Sequence, residues 1–358
     1  MHRKLGFGFL RYPRTDPDDP KSVDYPLLFT LVDEFLKTGS YFDTAYTYQN
    51  GFNEAVLRKA LVERHPRETY RVADKLPGYM VKSHDHCWDF LNESLSRCGL
   101  TYFDVYLLHG LNEENYAIAE QFNQFGFLEE VKAAGKALKT GFSFHDSPEL
   151  LDRILTAHPE VDYVQLQINY LDWDSESVQS RACYETAVKH QKTVLVMEPV
   201  KGGSLVNLPP KALDLLSASP ASYALRFAAS FENIVMVLSG MSNMEQVLDN
   251  IDTMKEFRPL DAEEFALIER LRTLYQAQNR IPCTACRYCT DGCPAAIDIP
   301  GLFACLNDKR EGKEGAEAAY AAFESKADAC LECGQCEAEC PQHLHIRELL
   351  KEVAAAFA

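Results

Sequence analysis

Short apolar runs alternate with amphipathic stretches through the first 255 residues of the chain. The runs are rich in Val, Ile, Leu and Tyr, which is typical of buried parallel strands covered by helices. From LGFGFL near the start to IVMVLSG, which ends at Gly240, the pattern predicts eight strand–helix units. The runs between these two end at Thr44, Lys75, His109, Ser143, Asn169 and Glu198. Eight units within about 250 residues favour an α/β fold, a closed (β/α)8 TIM barrel.

An open doubly wound sheet is the alternative fold for alternating strands and helices. That fold is commonly marked by a G-x-G-x-x-G sequence after its first strand, and no such sequence follows LGFGFL. We therefore expect the barrel. The amphipathic stretches predict helices over residues 26–37, 53–63, 82–98, 119–134, 148–156, 175–190, 210–231 and 243–254, with a connecting helix over 261–278.

The composition is typical of a globular protein, with 46% hydrophobic and 25% charged residues. The formal net charge of −17 argues against nucleic acid and anionic membranes as partners, because both repel an acidic surface. No apolar run reaches the roughly 18–20 residues that span a bilayer. The first residues, MHRKLGFGFLRYP, lack the apolar core of a signal peptide, so we expect a cytoplasmic protein.

Polar residues end the predicted strands, on the side of a barrel where active sites lie. They are Asp43, Lys75, His109, Ser143, Gln165, Asn169 and Glu198, and Tyr48 follows shortly after the first of them. A tyrosine is a reluctant acid at neutral pH because its ordinary pKa is about 10, but a neighbouring lysine stabilises the phenolate and lowers that pKa. A carboxylate at Asp43 would hold Lys75 in place, and His109 would orient a carbonyl group or assist proton transfer.

The motifs FDTAYTY, VADKLP and YLLHG, in this order, resemble those of the aldo-keto reductase family. The resemblance continues through GFSFHD, VQLQINY, VMEPVKGG and VLSGMSNMEQVLDN, and it covers residues 5–255. It implies an enzyme that passes hydride from NADPH to an aldehyde or ketone. By the matching positions, the catalytic tetrad would be Asp43, Tyr48, Lys75 and His109, with Tyr48 as the general acid.

The same resemblance implies which residues would hold the cofactor. Ser143 and Gln165 would bind the nicotinamide carboxamide, and Met197 stands where the family usually stacks an aromatic ring on the nicotinamide. The adenosine end would be held by Gly240, Ser242, Gln246 and Asn250. Gln246 stands at the position that often carries an arginine for the 2′-phosphate of NADPH. NADH is therefore an alternative cofactor to NADPH.

Two cysteine runs lie in the last quarter of the chain, CTACRYCTDGCP from Cys283 and CLECGQCEAECP from Cys330. Each has the spacing C-x2-C-x2-C-x3-C-P of bacterial-type [4Fe–4S] proteins, in which three thiolates bind one cubane and the fourth cysteine binds the other. We therefore predict one cluster on Cys283, Cys286, Cys289 and Cys340, and a second on Cys330, Cys333, Cys336 and Cys293. Zinc is the alternative metal, because C-x2-C pairs also bind it.

The segment between the two cysteine runs is rich in alanine, glutamate and leucine, which predicts helices. In this it resembles helical dicluster ferredoxin domains. The chain has twelve cysteines, and those outside the two runs are predicted to pack in helices: Cys87, Cys98, Cys183 and Cys305.

These features predict a barrel domain over residues 1–278 and a ferredoxin-like domain with two [4Fe–4S] clusters over residues 279–358. The leading hypothesis is an NAD(P)H-dependent oxidoreductase that reduces a small-molecule aldehyde or ketone, with the clusters serving electron transfer or redox coupling. The alternative is an NADPH-binding sensor or docking protein whose tail passes electrons to a protein partner. A third hypothesis gives the clusters a purely structural role. Hydride transfer moves two electrons together whereas a cubane passes one, and no residue run indicates a flavin between them.

Overall fold

The strands form a closed parallel barrel in chain order. In the computed structural model, which describes residues 4–16, 19 and 21–358, each strand pairs with the next and β8 pairs with β1. The strands are β1 Leu5–Gly8, β2 Tyr41–Asp43, β3 Arg71–Leu76, β4 Phe103–Leu111, β5 Ala137–Phe144, β6 Tyr163–Gln167, β7 Thr193–Met197 and β8 Ile234–Ser239. The predicted TIM barrel is therefore confirmed.

Helices follow the strands and continue into the cysteine-rich region. They are α1 Tyr25–Leu36, α2 Asn53–Leu57, α3 His84–Cys98, α4 Glu113–Gln121, α5 Gln124–Ala133, α6 Pro148–Ala157, α7 Ser180–Lys189, α8 Pro210–Leu213, α9 Pro220–Ala229, α10 Met244–Lys255, α11 Ala262–Gln276, α12 Tyr288–Asp291, α13 Ile299–Arg310, α14 Ala316–Ala322, α15 Gln335–Ala338 and α16 Ile346–Ala356. Shorter turns of other helical types lie at Arg58–Val62, Arg67–Thr69, Gly78–Met80, Lys201–Gly203 and Ala327–Ala329. None of the helices in the described part of the chain has the length and apolar character needed to cross a membrane.

Side-chain caps determine where several helices begin. The Ser83 side chain accepts from the His86 amide at the start of α3, and Asn243 accepts from the Gln246 amide at the start of α10. Each cap satisfies a backbone N–H that has no partner within its helix.

Two predicted helices are divided in the structure. The predicted helix over 119–134 is α4 followed by α5, because Asn123 takes a left-handed conformation with φ of 50°. The predicted helix over 210–231 is α8 followed by α9, with Pro220 as the first residue of α9. Proline lacks the backbone donor that would continue a helix, so it stands at a helix start.

The chain divides into two compact units. The first comprises the described residues of Met1–Ser175, Gln179–Pro199 and Ala221–Leu260. A cluster of buried side chains fills the interior of its barrel: Tyr41, Ala73, Val105, Leu107, Leu195 and Leu238. This interior is a packed core and has no room for a ligand. A ligand site on such a barrel is therefore formed by the polar side chains at the carboxyl ends of the strands.

The second unit comprises Glu176–Val178, Val200–Pro220 and Asp261–Ala358. It therefore includes a segment that begins shortly after β7, at Val200, as well as both cysteine runs. Its apolar core is formed by side chains including Ile297, Leu302, Phe303, Leu306, Ile346, Leu350 and Val353. Asn307 fixes the chain before the first cysteine run, since its side chain accepts from the Ile281 amide at 2.7 Å and donates to the Ile281 carbonyl at 3.0 Å.

Candidate active site and cysteine cavities

Lys75 is the centre of the polar site at the barrel rim. Its ammonium donates to Asp43 Oδ1 at 2.6 Å, to the Thr44 carbonyl at 2.7 Å and to the Tyr48 hydroxyl at 3.2 Å. β2 ends at Asp43, and Lys75 is the penultimate residue of β3, so the neighbouring strands bring the two side chains together. Three hydrogen bonds use all three donors of the ammonium and fix its direction.

A buried asparagine holds the loop that carries Tyr48. The Thr44 hydroxyl donates to Asn53 Oδ1 at 2.6 Å, and Asn53 Nδ2 donates to the Phe9 carbonyl at 2.8 Å. Asn53 is the first residue of α2 and is fully buried. The loop is therefore tied both to the helix that follows it and to the segment after β1, a role that the sequence analysis missed.

His109, near the end of β4, lies beside Tyr48 with a ring-centroid distance of 5.7 Å. Burial, helped by the nearby charges of Lys75 and His145, lowers the pKa of His109 well below its usual value. The imidazole is therefore neutral at physiological pH. Among the described residues, its buried Nδ1 has no hydrogen-bond partner.

Tyr79 also lies near His109, with ring centroids 6.4 Å apart, and it is 39% exposed. An exposed aromatic ring beside the tetrad is a candidate wall for a substrate pocket. The sequence analysis missed it because Tyr79 lies in a short turn after β3 and belongs to no motif.

Asp43 is bound from two sides. Besides the Lys75 ammonium, it accepts a hydrogen bond from Gln165 Nε2 at 3.2 Å. Burial raises the pKa of Asp43, while the Lys75 charge and the Gln165 amide oppose that rise. Gln165, which is predicted to bind the nicotinamide carboxamide, is thus connected to Lys75 through Asp43.

The other predicted nicotinamide contacts lie on adjacent strands. Ser143 pairs in register with Gln165, and Gln167 pairs with Met197. The Ser143 hydroxyl accepts from the Gly110 amide at 2.8 Å, one residue after His109. The barrel therefore places Ser143, Gln165 and Met197 on three adjacent strands, β5, β6 and β7.

The predicted adenosine contacts gather at the start of α10. Gln246 Oε1 accepts from the Ser242 amide at 2.8 Å, whereas Asn250 is buried and donates to Ser239 Oγ at 2.9 Å. The N-terminus of a helix favours a phosphate group, because its free N–H groups point outward. The start of α10 therefore fits a phosphate group.

Arg11 is a third residue that the sequence analysis missed. A Cβ placed on Gly240 would lie 3.1 Å from the Arg11 side chain, so the two residues are in contact. The closed barrel is the reason, because it brings the segment after β1 next to the segment after β8. Only the closure of the sheet, and no local motif, could have revealed this contact.

A buried acid pair lies next to the tetrad lysine. Ligand-type atoms of Glu54, Asp74 and Cys98 lie within 4.8 Å of one another. Burial, followed by the Glu54 carboxyl, raises the pKa of Asp74 well above its usual value. Asp74 therefore keeps its proton and hydrogen-bonds to Glu54, which also accepts from Arg97 at 3.1 Å.

Two cavities in the described part of the second unit are each lined by four cysteines. The first is lined by Cys283, Cys286, Cys289 and Cys340. The second is lined by Cys293, Cys330, Cys333 and Cys336. Each cavity thus takes three cysteines from one run and the fourth from the other run.

The donor set of these cavities fits iron–sulfur clusters. Four sulfurs around one cavity are the ligand number of a [4Fe–4S] cubane. Burial raises the pKa of the Cys336 thiol to about 11, and a bound metal cation would displace the thiol proton. The remaining cysteines, Cys87, Cys98, Cys183 and Cys305, are buried.

Comparison with known proteins identifies the barrel. The family model described as "Aldo/keto reductase family" matches residues 4–213, which is more than half of the chain. The chain belongs to the aldo/keto reductase family. It is thus an oxidoreductase of the NAD(P)H-dependent aldo-keto reductase type. The family model described as "4Fe-4S dicluster domain" matches residues 282–344.

Relatives of this aldo-keto reductase are about a quarter identical to it over the aligned residues. An aldo-keto reductase from Mycobacterium avium (strain 104) is 28% identical over 234 residues, which cover 64% of this chain and 75% of the relative. The holo form of aldo-keto reductase AKR11C1 from Bacillus halodurans is 25% identical, with a TM-score of 0.60, covering 75% of this chain and 91% of that chain.

A more distant structure supports the fold alone. The aldo/keto reductase from Klebsiella pneumoniae in complex with NADP and acetate is 18% identical, with a TM-score of 0.61, and the match covers 75% of this chain and 91% of that chain.

Proposed function

We propose that this protein reduces a small-molecule aldehyde or ketone with NADPH or NADH at the barrel rim, and that residues 279–358 form a domain that carries two [4Fe–4S] clusters. The observation that carries the reductase is the position of the Lys75 ammonium, which lies within hydrogen-bond distance of both Asp43 and the Tyr48 hydroxyl. The lysine and the carboxylate are almost fully buried, so their electrostatic effect is not diluted by water.

The proposed chemistry follows from that contact. Bound NADPH would supply the hydride to the carbonyl carbon. The Tyr48 hydroxyl donates its proton to the carbonyl oxygen, and the Lys75 ammonium at 3.2 Å stabilises the phenolate left behind. Asp43 holds the ammonium at 2.6 Å. His109 is neutral, so it orients the carbonyl oxygen by hydrogen bonding without adding a second positive charge.

For the cofactor, we propose the contacts that the family resemblance implies. Ser143 and Gln165 hold the nicotinamide carboxamide, and the half-buried Met197 lies against the ring, where its polarisable sulfur packs on an aromatic surface. The adenosine end lies at Gly240, Ser242, Gln246 and Asn250. The resemblance favours NADPH, and Gln246 at the place of an arginine leaves NADH as a second cofactor.

We assign the two clusters to the two cysteine cavities. Cluster one would be held by Cys283, Cys286, Cys289 and Cys340, and cluster two by Cys330, Cys333, Cys336 and Cys293. The lining of each cavity by four sulfurs supports this assignment. The clusters would serve one-electron transfer or redox coupling, which carbonyl reduction itself does not require.

A single substitution tests the reductase. In anaerobically purified protein, Tyr48→Phe should lower kcat/KM for carbonyl reduction by about 10²–10⁴-fold, because it removes the general acid. Binding of NADPH, measured by fluorescence, should be nearly unchanged. A panel of aldehydes and ketones is screened first with NADPH and NADH to find a substrate.

Tyr46→Phe is the matched control for this test. Tyr46 lies in the same motif, but its hydroxyl donates to Glu93 at 2.9 Å and accepts from Arg97 at 3.2 Å. This variant should keep its activity. Retained turnover in Tyr48→Phe would overturn the proposed role of the tetrad.

A second candidate function is an NADPH-binding sensor or docking protein that passes electrons to a protein partner. The observation that favours it is the exposure of the second cavity, where Leu331 is 68% exposed and Cys333 is also exposed. The two functions differ in what NADPH oxidation requires. The reductase depends on an added carbonyl compound, whereas the electron-transfer protein depends on an added one-electron acceptor.

A further inference from the structure

A network of polar contacts lies behind the tetrad, between the strand that carries Lys75 and the loop that carries Tyr48. It begins at Asp74, the residue before Lys75 on β3, whose Oδ1 accepts from the Lys75 amide at 2.8 Å. Asp74 and Glu54 are both fully buried, and a carboxyl oxygen of each lies within 4.8 Å of the other and of Cys98 Sγ. Two carboxyl groups from different elements, β3 and α2, thus meet away from water.

The negative charge of this Glu54–Asp74 pair lies on Glu54. Its Oε2 accepts from Arg97 Nη1 at 3.1 Å, so the guanidinium compensates one ionised carboxylate. Two buried carboxylates at this distance would repel each other, and one shared proton removes the repulsion. Asp74 holds that proton, because burial and then the Glu54 carboxyl raise its pKa. The pair therefore carries one negative charge and one hydrogen bond.

Several elements contribute titratable groups around Asp74. Tyr106 is its register partner on β4 and is fully buried, and Cys98 faces it from α3. Burial raises the pKa values of Tyr106 and Cys98 well above their usual range, so neither ionises at neutral pH. The cations of this region are Lys75 on β3, Arg97 on α3 and Arg58 directly after α2. Glu54 is thus the acid with which Asp74 shares its proton.

Arg97 extends the network to the loop that carries Tyr48. Its guanidinium stacks on the Tyr46 ring, with Cζ 4.2 Å from the ring centroid, and its Nη2 donates to the Tyr46 hydroxyl at 3.2 Å. A Cβ placed on Gly51 would lie 3.4 Å from Arg97 Nη1, so the guanidinium also contacts the other side of the loop. Tyr46 and Gly51 flank Tyr48 in the sequence. Arg97 therefore supports the loop on both sides of the proposed general acid.

The network closes at the tetrad itself. The 3.2 Å between the Lys75 ammonium and the Tyr48 hydroxyl lies at the upper end of the range for such a hydrogen bond, so a small displacement of the loop would break it. We propose that Glu54 and Asp74 are positioning residues for the tetrad. They form a carboxyl–carboxylate pair with one shared proton, which acts through Arg97 to hold Tyr48 against Lys75. The proposal rests on the proposed tetrad, but its test needs no carbonyl substrate.

The first measurement tests the shared proton. In the full chain, purified anaerobically, infrared spectroscopy at neutral pH should show the carbonyl stretch of a protonated carboxyl group. This band should shift in protein that contains isotope-labelled aspartate, and it should be absent from Asp74→Asn. If Asp74→Asn removes no such band, Asp74 is ionised in the folded protein and the proposal is overturned.

The second measurement follows Tyr48 directly. The ultraviolet difference spectrum of tyrosinate is recorded for each protein and for the same protein with Tyr48→Phe, so that subtraction isolates Tyr48. Asp74→Ala removes the bond to Glu54 without changing the net charge, because the carboxyl that it removes is neutral. The ratio of phenolate to phenol at Tyr48 should fall about tenfold at a fixed alkaline pH, because the Lys75 ammonium no longer lies against the oxygen.

Two further variants separate position from stability. Asp74→Asn keeps a donor for Glu54 and should leave the Tyr48 ratio at its wild-type value. Asp104→Ala is the matched control, because Asp104 also binds a β3 backbone group, the Val72 amide at 2.8 Å, but near the start of that strand. It should lower stability in chemical denaturation and leave the Tyr48 ratio unchanged.

An unchanged Tyr48 ratio in folded Asp74→Ala would overturn the positioning role. A higher ratio in Asp74→Asn would also overturn it, because a negative charge would then have been removed. If Asp74→Ala does not fold, Asp74→Ser decides in its place, since its hydroxyl is one bond shorter and does not bridge to Glu54. An equal fall in Asp104→Ala would leave Asp74 a role in stability only. Failure to reduce any carbonyl would affect the proposed reductase alone.

Discussion

The ammonium of Lys75 and the carboxylate of Asp43 form a hydrogen-bonded ion pair at 2.6 Å, with the two side chains only 1% and 5% exposed. Removing one partner of such a pair leaves the other as an uncompensated buried charge. The pair therefore connects the stability of the barrel to the proposed chemistry, since the same ammonium also reaches the Tyr48 hydroxyl.

Lys75→Met should cost stability and activity together. We expect the free energy of unfolding to fall by about 3–5 kcal/mol, because the buried Asp43 carboxyl loses the cation that compensates its charge and has either to stay ionised or to take up a proton. Carbonyl reduction should fall to the background level. Chemical denaturation and NADPH oxidation assays measure the two effects separately.

The double variant Asp43→Asn/Lys75→Met is the control that separates these effects. An amide carries no charge, so most of the lost stability should return while activity stays at the background. Recovery of carbonyl reduction in the double variant would mean that Lys75 only supports the fold.

His109 should make the stability of the folded protein fall toward acidic pH. Burial lowers its pKa in the folded protein well below the usual value, so the unfolded chain takes up a proton near its ordinary pKa and the folded protein does not. This contribution to stability is present above about pH 6.5 and is lost as pH falls below it, by up to about 1.4 kcal/mol per pH unit.

His109→Gln should remove this dependence, because glutamine does not titrate. Denaturation of wild type and variant between about pH 5 and about pH 7.5 measures the difference, and the variant should lose less stability toward acid. Parallel curves for the two proteins would show that the His109 imidazole takes up its proton at the same pH in the folded protein as in the unfolded chain.

Much of the barrel and of its tetrad was accessible from the sequence, because both depend on local patterns. Asp43, Lys75 and His109 end apolar runs, and the closure of eight parallel strands brings such ends together. Helix interruptions were harder, because Asn123 and Pro220 act on the backbone without changing the apolar pattern on either side.

The burial of Lys201, which is 2% exposed, could not be predicted, and the reason is distance along the chain. In VKGGS, Lys201 looks like an exposed charge in a glycine-rich turn. Its burial depends on Gln342, which lies 141 residues away in the sequence. Neither residue carries a signal for the other, so only folding of the second unit reveals the contact.

Gly202→Ala should destabilise the second unit more than Gly203→Ala. Both glycines have positive φ, 62° and 99°, so either substitution carries the backbone strain of a left-handed residue, about 1–2 kcal/mol. Only at Gly202 would the added methyl group also meet a backbone atom, at 2.5 Å from the Thr284 oxygen. At Gly203 it would meet no described atom within 4 Å.

The pair of alanine variants thus isolates the close contact from the strain that both share. The midpoint temperature of thermal unfolding and the iron content should both be lower in Gly202→Ala than in Gly203→Ala, because Thr284 must move away from the cavity it lines. Equal losses in the two variants would mean that the backbone contact contributes nothing to the cluster-one cavity.

Each cavity is lined by three cysteines of one run and the fourth cysteine of the other run. This arrangement predicts how much iron is lost when two cysteines are replaced together. Cys293 belongs to the first run but lines the cavity of Cys330, Cys333 and Cys336. Cys293→Ser and Cys330→Ser should therefore each lose the same cluster, about half of the iron. Combining them should cost no further iron, because both substitutions remove a ligand of one cubane.

Cys286→Ser combined with Cys293→Ser is the opposite case. These residues belong to the same run but line different cavities, so the double variant should lose both clusters and nearly all of the iron. Cys305→Ala is the control: the residue is buried on α13, outside the cysteine linings described for both cavities, and the variant should keep its full iron content. If Cys286→Ser/Cys293→Ser instead kept half of the iron while Cys293→Ser/Cys330→Ser lost all of it, each run would bind its own cluster, and the grouping by cavities would not describe the ligands.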